Sequence, residues 1–265
     1  MFASIGLMLL GALLNTPEGL LGKADAIGYA VCHRIDLRSF HIGERPLPLC
    51  ARCTGMYLGA MLGLGYQQFV NRRRSGTPPI SVLAVVALLV LAFAVDGLNS
   101  YLTFFPGLPH LYQPNNTLRL ITGTGMGIAI SVALYPAFNQ TVWQDYEDKP
   151  ALDGWRQILG LLGLAAVMDG LILTQNPLIL YPFALLSALG VLVLLTMIYS
   201  MLWLIILRRE NRYLYPHQLV IPLLAGFGFA LLQLILIDAG RYLLTGTWDG
   251  FHIGQLENLR QVFRI

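Results

Sequence analysis

The three cysteines of this 265-residue chain fall within 22 positions: Cys32, Cys50 and Cys53, the last two in a C-x2-C step. That step lets two thiolates grip one ion from a single turn. A tetrahedral zinc site needs four nitrogen or sulfur ligands, and Cys32 with His33 or His41 supplies the other two. The expected set is Cys32, His33, Cys50 and Cys53, with zinc as the cofactor. The same thiols have other chemistries open to them. They would oxidise to a disulfide in an oxidising compartment, Cys50 and Cys53 would serve as a redox dithiol, or all three are plain structural cysteines. A c-type haem is excluded, because Thr54 rather than His follows Cys53.

Arg34, Arg38, Arg45 and Arg52 lie in the same stretch. Guanidinium groups bind phosphate and carboxylate bidentately. Arg119, preceded by Asn115, Asn116 and Thr117, offers another cation from a later loop. The competing role is attraction to anionic lipid headgroups, worth about 1 kcal/mol per basic residue. Asp96 and Asp169 sit in apolar runs, where an ionisable side chain is costly and marks a functional candidate. Each precedes a glycine, so each also suits a helix end. The candidates for chemistry are Arg34, Arg52, Asp96, Asn116 and Arg119. If there is turnover, zinc would act as Lewis acid or water activator, with Asp96 as base or ligand.

The elements that position these residues are apolar. Hydrophobic residues make up 56% of the chain and charged ones only 12%, about half the charge of a soluble domain. Continuous apolar runs near 20 residues predict an all-α integral membrane bundle of about six or seven spans. Residues 2–14 form a short apolar run, readable as a short or tilted span, a re-entrant segment or a signal-like stretch. Further spans are expected over 53–70, 80–102, 118–135, 158–173, 178–207 and 219–237. The whole of 1–265 reads as one membrane domain. Residues 23–54 are its polar Cys/His/Arg segment, and 150–265 add helices and a surface tail from about 240. Gly55, Gly59 and Gly63 form a close-packing face on the second span. The net charge of +3 and the lack of long charge blocks argue against nucleic acid as a partner.

Arg72–Arg74 and Arg208–Arg212 abut span ends four spans apart, hence on one side. The positive-inside rule makes that side cytoplasmic. The cysteine stretch is then extracytoplasmic on a plasma membrane, together with the Asp96–Arg119 loop. The totals run the other way, eight Lys/Arg inside and nine outside, and the arginines of the cysteine stretch supply the excess.

The pattern CHR…RSF…G…PLCARCTG, then DG, then N-x-LR-x-x-TG, resembles a family of bacterial and archaeal polytopic membrane proteins catalogued as domain of unknown function twenty eighty-five. The residues that carry it are Cys32, His33, Arg34, Arg38, Ser39, Phe40, Gly43, Pro48 to Gly55, Asp96, Gly97, Asn116, Arg119, Thr122 and Gly123. It covers roughly 25–130 and leaves 150–265 as an extension. The resemblance implies that Asp96, Asn116 and Arg119 share one site with the cysteines, and it brings no mechanism. Three functions follow. The first is a zinc site organising an arginine-rich pocket for an anionic or phosphate-bearing lipid. The second is an accessory subunit packed against other subunits of a respiratory or photosynthetic complex, and the third is an extracytoplasmic thiol–disulfide protein.

Overall fold

A computed structural model describes residues 2–103, 105 and 109–249. The protein is an all-α bundle of eight helices with two small two-stranded sheets among the described residues. The first helices, α1 (Phe2–Asn15) and α2 (Gly19–Val31), meet at an angle of 108°. Each is about 20 Å long, short of the ~30 Å hydrocarbon core, so together they make one broken span or a re-entrant pair. Lys23 Nζ donates to the carbonyls of Leu13 and Thr16, neutralising the negative end of α1. The polar segment expected over 23–54 therefore begins only at Cys32. Lys23 and Asp25 interrupt the apolar pattern, yet both are partnered within a helix.

Helix α3 (Ala51–Val70) starts directly at the cysteine step, and α4 (Ile80–Leu102) returns to the same end of the bundle. Helix α5 (Asn116–Val142) then runs parallel to α3. Glycines hold these two backbones together. A Cβ at Gly55 would lie 2.3 Å from the Leu120 carbonyl oxygen, and one at Gly59 2.4 Å from that of Thr124. From the other side, a Cβ at Gly123 or Gly127 would lie 2.1 Å from the carbonyl oxygens of Arg52 and Met56. Gln67 closes the far end of the seam, donating to Gly63 O and Ser131 O at 3.0 Å each.

Five helical stretches are long and apolar enough to cross a membrane: α4, α5, α6 (Trp155–Leu173), α7 (Pro177–Ile206) and Pro216–Thr245, which contains α8 (Val220–Thr245). The bent pair α1–α2, counted as one broken span, brings the number to six. Helix α3, expected as the second span, is not among them. Arg52, Gln67, Gln68 and four glycines dilute its apolar character. It lies alongside α5 for its full length, covered by protein on that side. The tail from about 240 also differs from expectation: α8 continues to Thr245, and 250–265 fall outside the described residues.

One end of the bundle gathers Arg73, Trp143, Asp145 and Leu214. Arg73 donates to Asp145 at 2.5 Å and to the Leu214 carbonyl at 2.7 Å, and lies 4.0 Å over the Trp143 ring. The cysteine stretch sits at the opposite end, with Phe40, Leu47 and Ala51 packed on Leu180 and Ala184 of α7.

Candidate metal centre

Cys32 ends α2. Its sulfur accepts the backbone N–H of Arg34 at 3.5 Å and of Cys50 at 3.4 Å. Arg34 turns the chain back in the left-handed region, with φ 50°. Two short strands, β1 (His41–Ile42) and β2 (Arg45–Pro46), then form a hairpin through Gly43, whose φ of 63° favours glycine. The Leu47 amide bonds to the Phe40 carbonyl at 2.8 Å, leading Leu47–Leu49 back beneath α2. There the Pro48 carbonyl presses so close on Gly28 that a Cβ would lie 2.0 Å from it. Cys50 becomes the N-cap of α3, and Cys53 lies on its first turn.

The result is three sulfurs, all within 4.8 Å of one another. All three cysteines are free, and Cys32 and Cys50 are buried, packed with Leu49, Val191 and Leu234. Sulfurs around a tetrahedral zinc stand about 3.8 Å apart, given Zn–S bonds of ~2.3 Å, so a small contraction would suffice. Hydrogen bonds from the Cys50 and Cys53 thiols hold the Cys32 thiol well below its ordinary range, against the effect of burial. The hydrogen bond shared with Cys32 pushes Cys50 up to about 12. Two backbone N–H groups also meet the Cys32 sulfur. Such N–H···S contacts are the outer-shell support that thiolate metal ligands need.

His33 is not in the sulfur group. Its Nδ1 accepts the Ile35 amide at 3.0 Å. Burial, then the neighbouring Arg38, Arg52 and Arg119, hold it below the usual imidazole range, against the pull of Cys32. His41 pairs with Asp36 at 3.0 Å instead. Among the described residues, the ligand atoms that the structure gathers are therefore the three sulfurs.

Beside them lies a second polar group. Arg52 grips Asp96, whose side chain is 1% exposed, through Nε at 3.1 Å and through Nη2. Arg52 Nη2 also reaches Ser100 Oγ at 2.9 Å. Tyr112 donates to the other Asp96 oxygen at 2.8 Å. Asn116 orients Arg119 by accepting from its Nη1 at 2.9 Å, and donates to the Ser39 carbonyl at 3.2 Å. Arg38 Nη2 donates to the Ser100 carbonyl at 3.2 Å. Burial, Arg119 and Arg52, in that order, draw the Arg38 guanidinium down to about 10, so it stays charged at neutral pH.

Arg52, Asp96, Asn116 and Arg119 are thus brought together next to the cysteines. Asp96 lies against Arg52 and is not a member of the sulfur group. Arg34 goes elsewhere: with Arg45 it clamps Asp25 of α2, at 2.8 and 2.5 Å. Asp169 also stands apart, accepting from Thr124 at 2.7 Å in the helix packing. Sequence reasoning gave no weight to Tyr112, and nothing in its loop marks it. Arg38 had a signal, its place in the RSF motif, but no local pattern separates it from Arg34.

Fold and site define a polytopic α-helical membrane protein with a thiol-and-arginine group at one end of its bundle. The chain belongs to the DUF2085 family, described as "Predicted membrane protein", whose match covers residues 32–133. It is similar to an uncharacterised protein of Methanothermobacter thermautotrophicus, 32% identical over 105 residues, which are 38% of this chain and 82% of the relative. It is also similar to an uncharacterised protein of Methanocaldococcus jannaschii, 28% identical over 122 residues, 46% of this chain and 72% of the relative. No solved structure matches. The match begins at Cys32 and contains both polar groups, whereas Asp25, Val191 and Leu234 lie outside it.

Proposed function

We propose that Cys32, Cys50 and Cys53 hold a zinc ion that fixes the start of α3, and that the adjoining arginine group binds an anionic, phosphate-bearing ligand at the membrane surface. The observation that carries this is the convergence of the three sulfurs within 4.8 Å. Thiolate donors favour zinc among the common divalent ions. The ion would tie Cys32, at the end of α2, to the N-terminus of α3, and so hold Arg52 in register with Asp96. Three protein ligands leave a fourth position, the arrangement in which zinc supplies Lewis-acid or water-activating chemistry. If His33 filled that position instead, through Nε2 since Nδ1 accepts the Ile35 amide, the site would be closed and structural. The basic residues at the opposite end favour an extracytoplasmic cysteine end on the plasma membrane.

Elemental analysis of the detergent-purified protein tests the metal. One zinc per chain is expected in the wild type and none in Cys50→Ser; loss in His33→Ala as well would make His33 the fourth ligand. A metal-free wild type would refute the centre. The free thiols and the lowered Cys32 also favour a thiol–disulfide reading. Exchange of the purified protein with a small disulfide would support that reading, and inert, metal-bound thiols would remove it.

A further inference from the structure

Among the arginines at the cysteine end, Arg119 stands out by its pairing. It is 6% exposed, its Nε is buried without a hydrogen-bond partner, and it makes no ion pair among the described residues. Among the described residues Asn116 alone hydrogen-bonds its side chain, through Nη1. Asp96 cannot serve as its counter-ion at contact, because Arg52 and Tyr112 already occupy the carboxylate. The charge of Arg52 acts on Arg119, and Arg119 and Arg52 both act on Arg38; Asp96 offsets part of this from a distance while its hydrogen bonds go to Arg52 and Tyr112. A buried guanidinium pressed by like charges is costly unless an anion compensates it.

We propose that Arg119 is the principal ligand of a phosphate-type group, with Arg38 beside it, Asn116 as its positioning residue, and the Arg52–Asp96 pair as the fixed wall of the site. This deepens the anion half of the function proposed above and rests on it. A phosphate offers three oxygens to donors arriving from several directions. A carboxylate offers two in one plane, which suits one guanidinium fork and leaves the others unmatched. Leu98, two residues after Asp96 on α4, and Leu118 and Ile121, which flank Arg119 on α5, are exposed, so the helix ends that carry the site present apolar side chains at the surface. A phosphate carried on a lipid and a free phosphate share this chemistry.

The test is thermal unfolding of detergent-purified full-length protein titrated with inorganic phosphate, with phosphatidic acid, or with phosphatidylcholine, and zinc content measured on the same samples. Saturable stabilisation by phosphate or by phosphatidic acid is expected, beyond any effect of phosphatidylcholine. Response to inorganic phosphate assigns the free anion; response to phosphatidic acid alone assigns the lipid. Arg119→Gln is expected to weaken binding roughly tenfold or more. Arg119→Lys should also weaken it, because the ammonium lacks the planar fork, and Asn116→Ala should do so with zinc retained. If Arg119→Gln does not fold, the Lys and Asn116 variants carry the test. Equal response to all three probes, or unchanged affinity in the variants, would overturn the proposal. Arg119-dependent binding in a zinc-free wild type would remove the metal centre and leave this site standing. Zinc without such binding would do the reverse.

Discussion

The α3–α5 seam yields the most direct prediction. At Gly123 an added Cβ would lie 2.1 Å from the Arg52 carbonyl oxygen and 3.0 Å from its carbon. Relief to ordinary contact, about 3.5 Å, requires α3 and α5 to separate by roughly 1.4 Å at Arg52. Overpacking of this kind costs about 1–3 kcal/mol. It falls on the residue that grips Asp96, so the ion pair should loosen as well. Gly65 is the control: it lies on α3 with nothing within 4 Å of its Cβ position. There alanine should be neutral or gain up to about 1 kcal/mol from helix propensity. Gly123→Ala and Gly65→Ala are compared by reversible denaturation from mild detergent into SDS, followed by far-UV circular dichroism. A gap of about 1–4 kcal/mol between them is expected. Equal stability of the two variants would refute the parallel seam.

Other consequences are testable by the same titration or by amide hydrogen exchange. Asp96→Asn or Arg52→Met alone should destabilise by about 3–5 kcal/mol, since each leaves a buried partner unmatched, while the double change should recover much of that loss. Thr124→Val should cost about 1–3 kcal/mol by removing the hydroxyl that donates to buried Asp169; a smaller change would mean that the carboxyl finds another partner. Lys23→Met should speed amide exchange over 11–16, where its ammonium caps α1, and leave exchange in α5 unchanged. Arg73→Ala should do the same for 207–215, because the Leu214 carbonyl loses its donor; unaltered exchange there would show that Arg73 does not hold this segment.

Helix existence was legible wherever apolar runs are continuous. The 80–102 reading coincides with α4, and 158–173 and 178–207 differ from α6 and α7 by a few residues at their ends. Helix α2 was missed because Lys23 and Asp25 break the run. Their compensation comes from the end of α1 and from Arg34 and Arg45, contacts that no local pattern reveals. Helix α8 outruns the expected 219–237 because the apolar run breaks at Asp238 and the mixed sequence from 240 reads as a surface tail. Instead Arg241 lies 4.0 Å over the Tyr29 ring and donates to the Cys32 carbonyl at 2.7 Å. For the site, residue type and span parity brought Asp96, Asn116 and Arg119 to the cysteine end. Which arginine faces which carboxylate was beyond them, since a rotation of α3 or one turn of the 36–38 segment would exchange partners.

The glycine seam also divides the molecule mechanically. Helices α3 and α5 meet backbone to backbone, so neither can slide or rotate against the other without steric collision. They act as a rigid strut from the arginine group to the Arg73–Trp143 junction at the opposite end. The helices that pack on this strut do so largely through side chains, which can change rotamer. Any displacement that accompanies an event at the cysteine end must therefore be taken up by α4, α6–α8 or the bent α1–α2 pair, with α3 and α5 as the stationary frame.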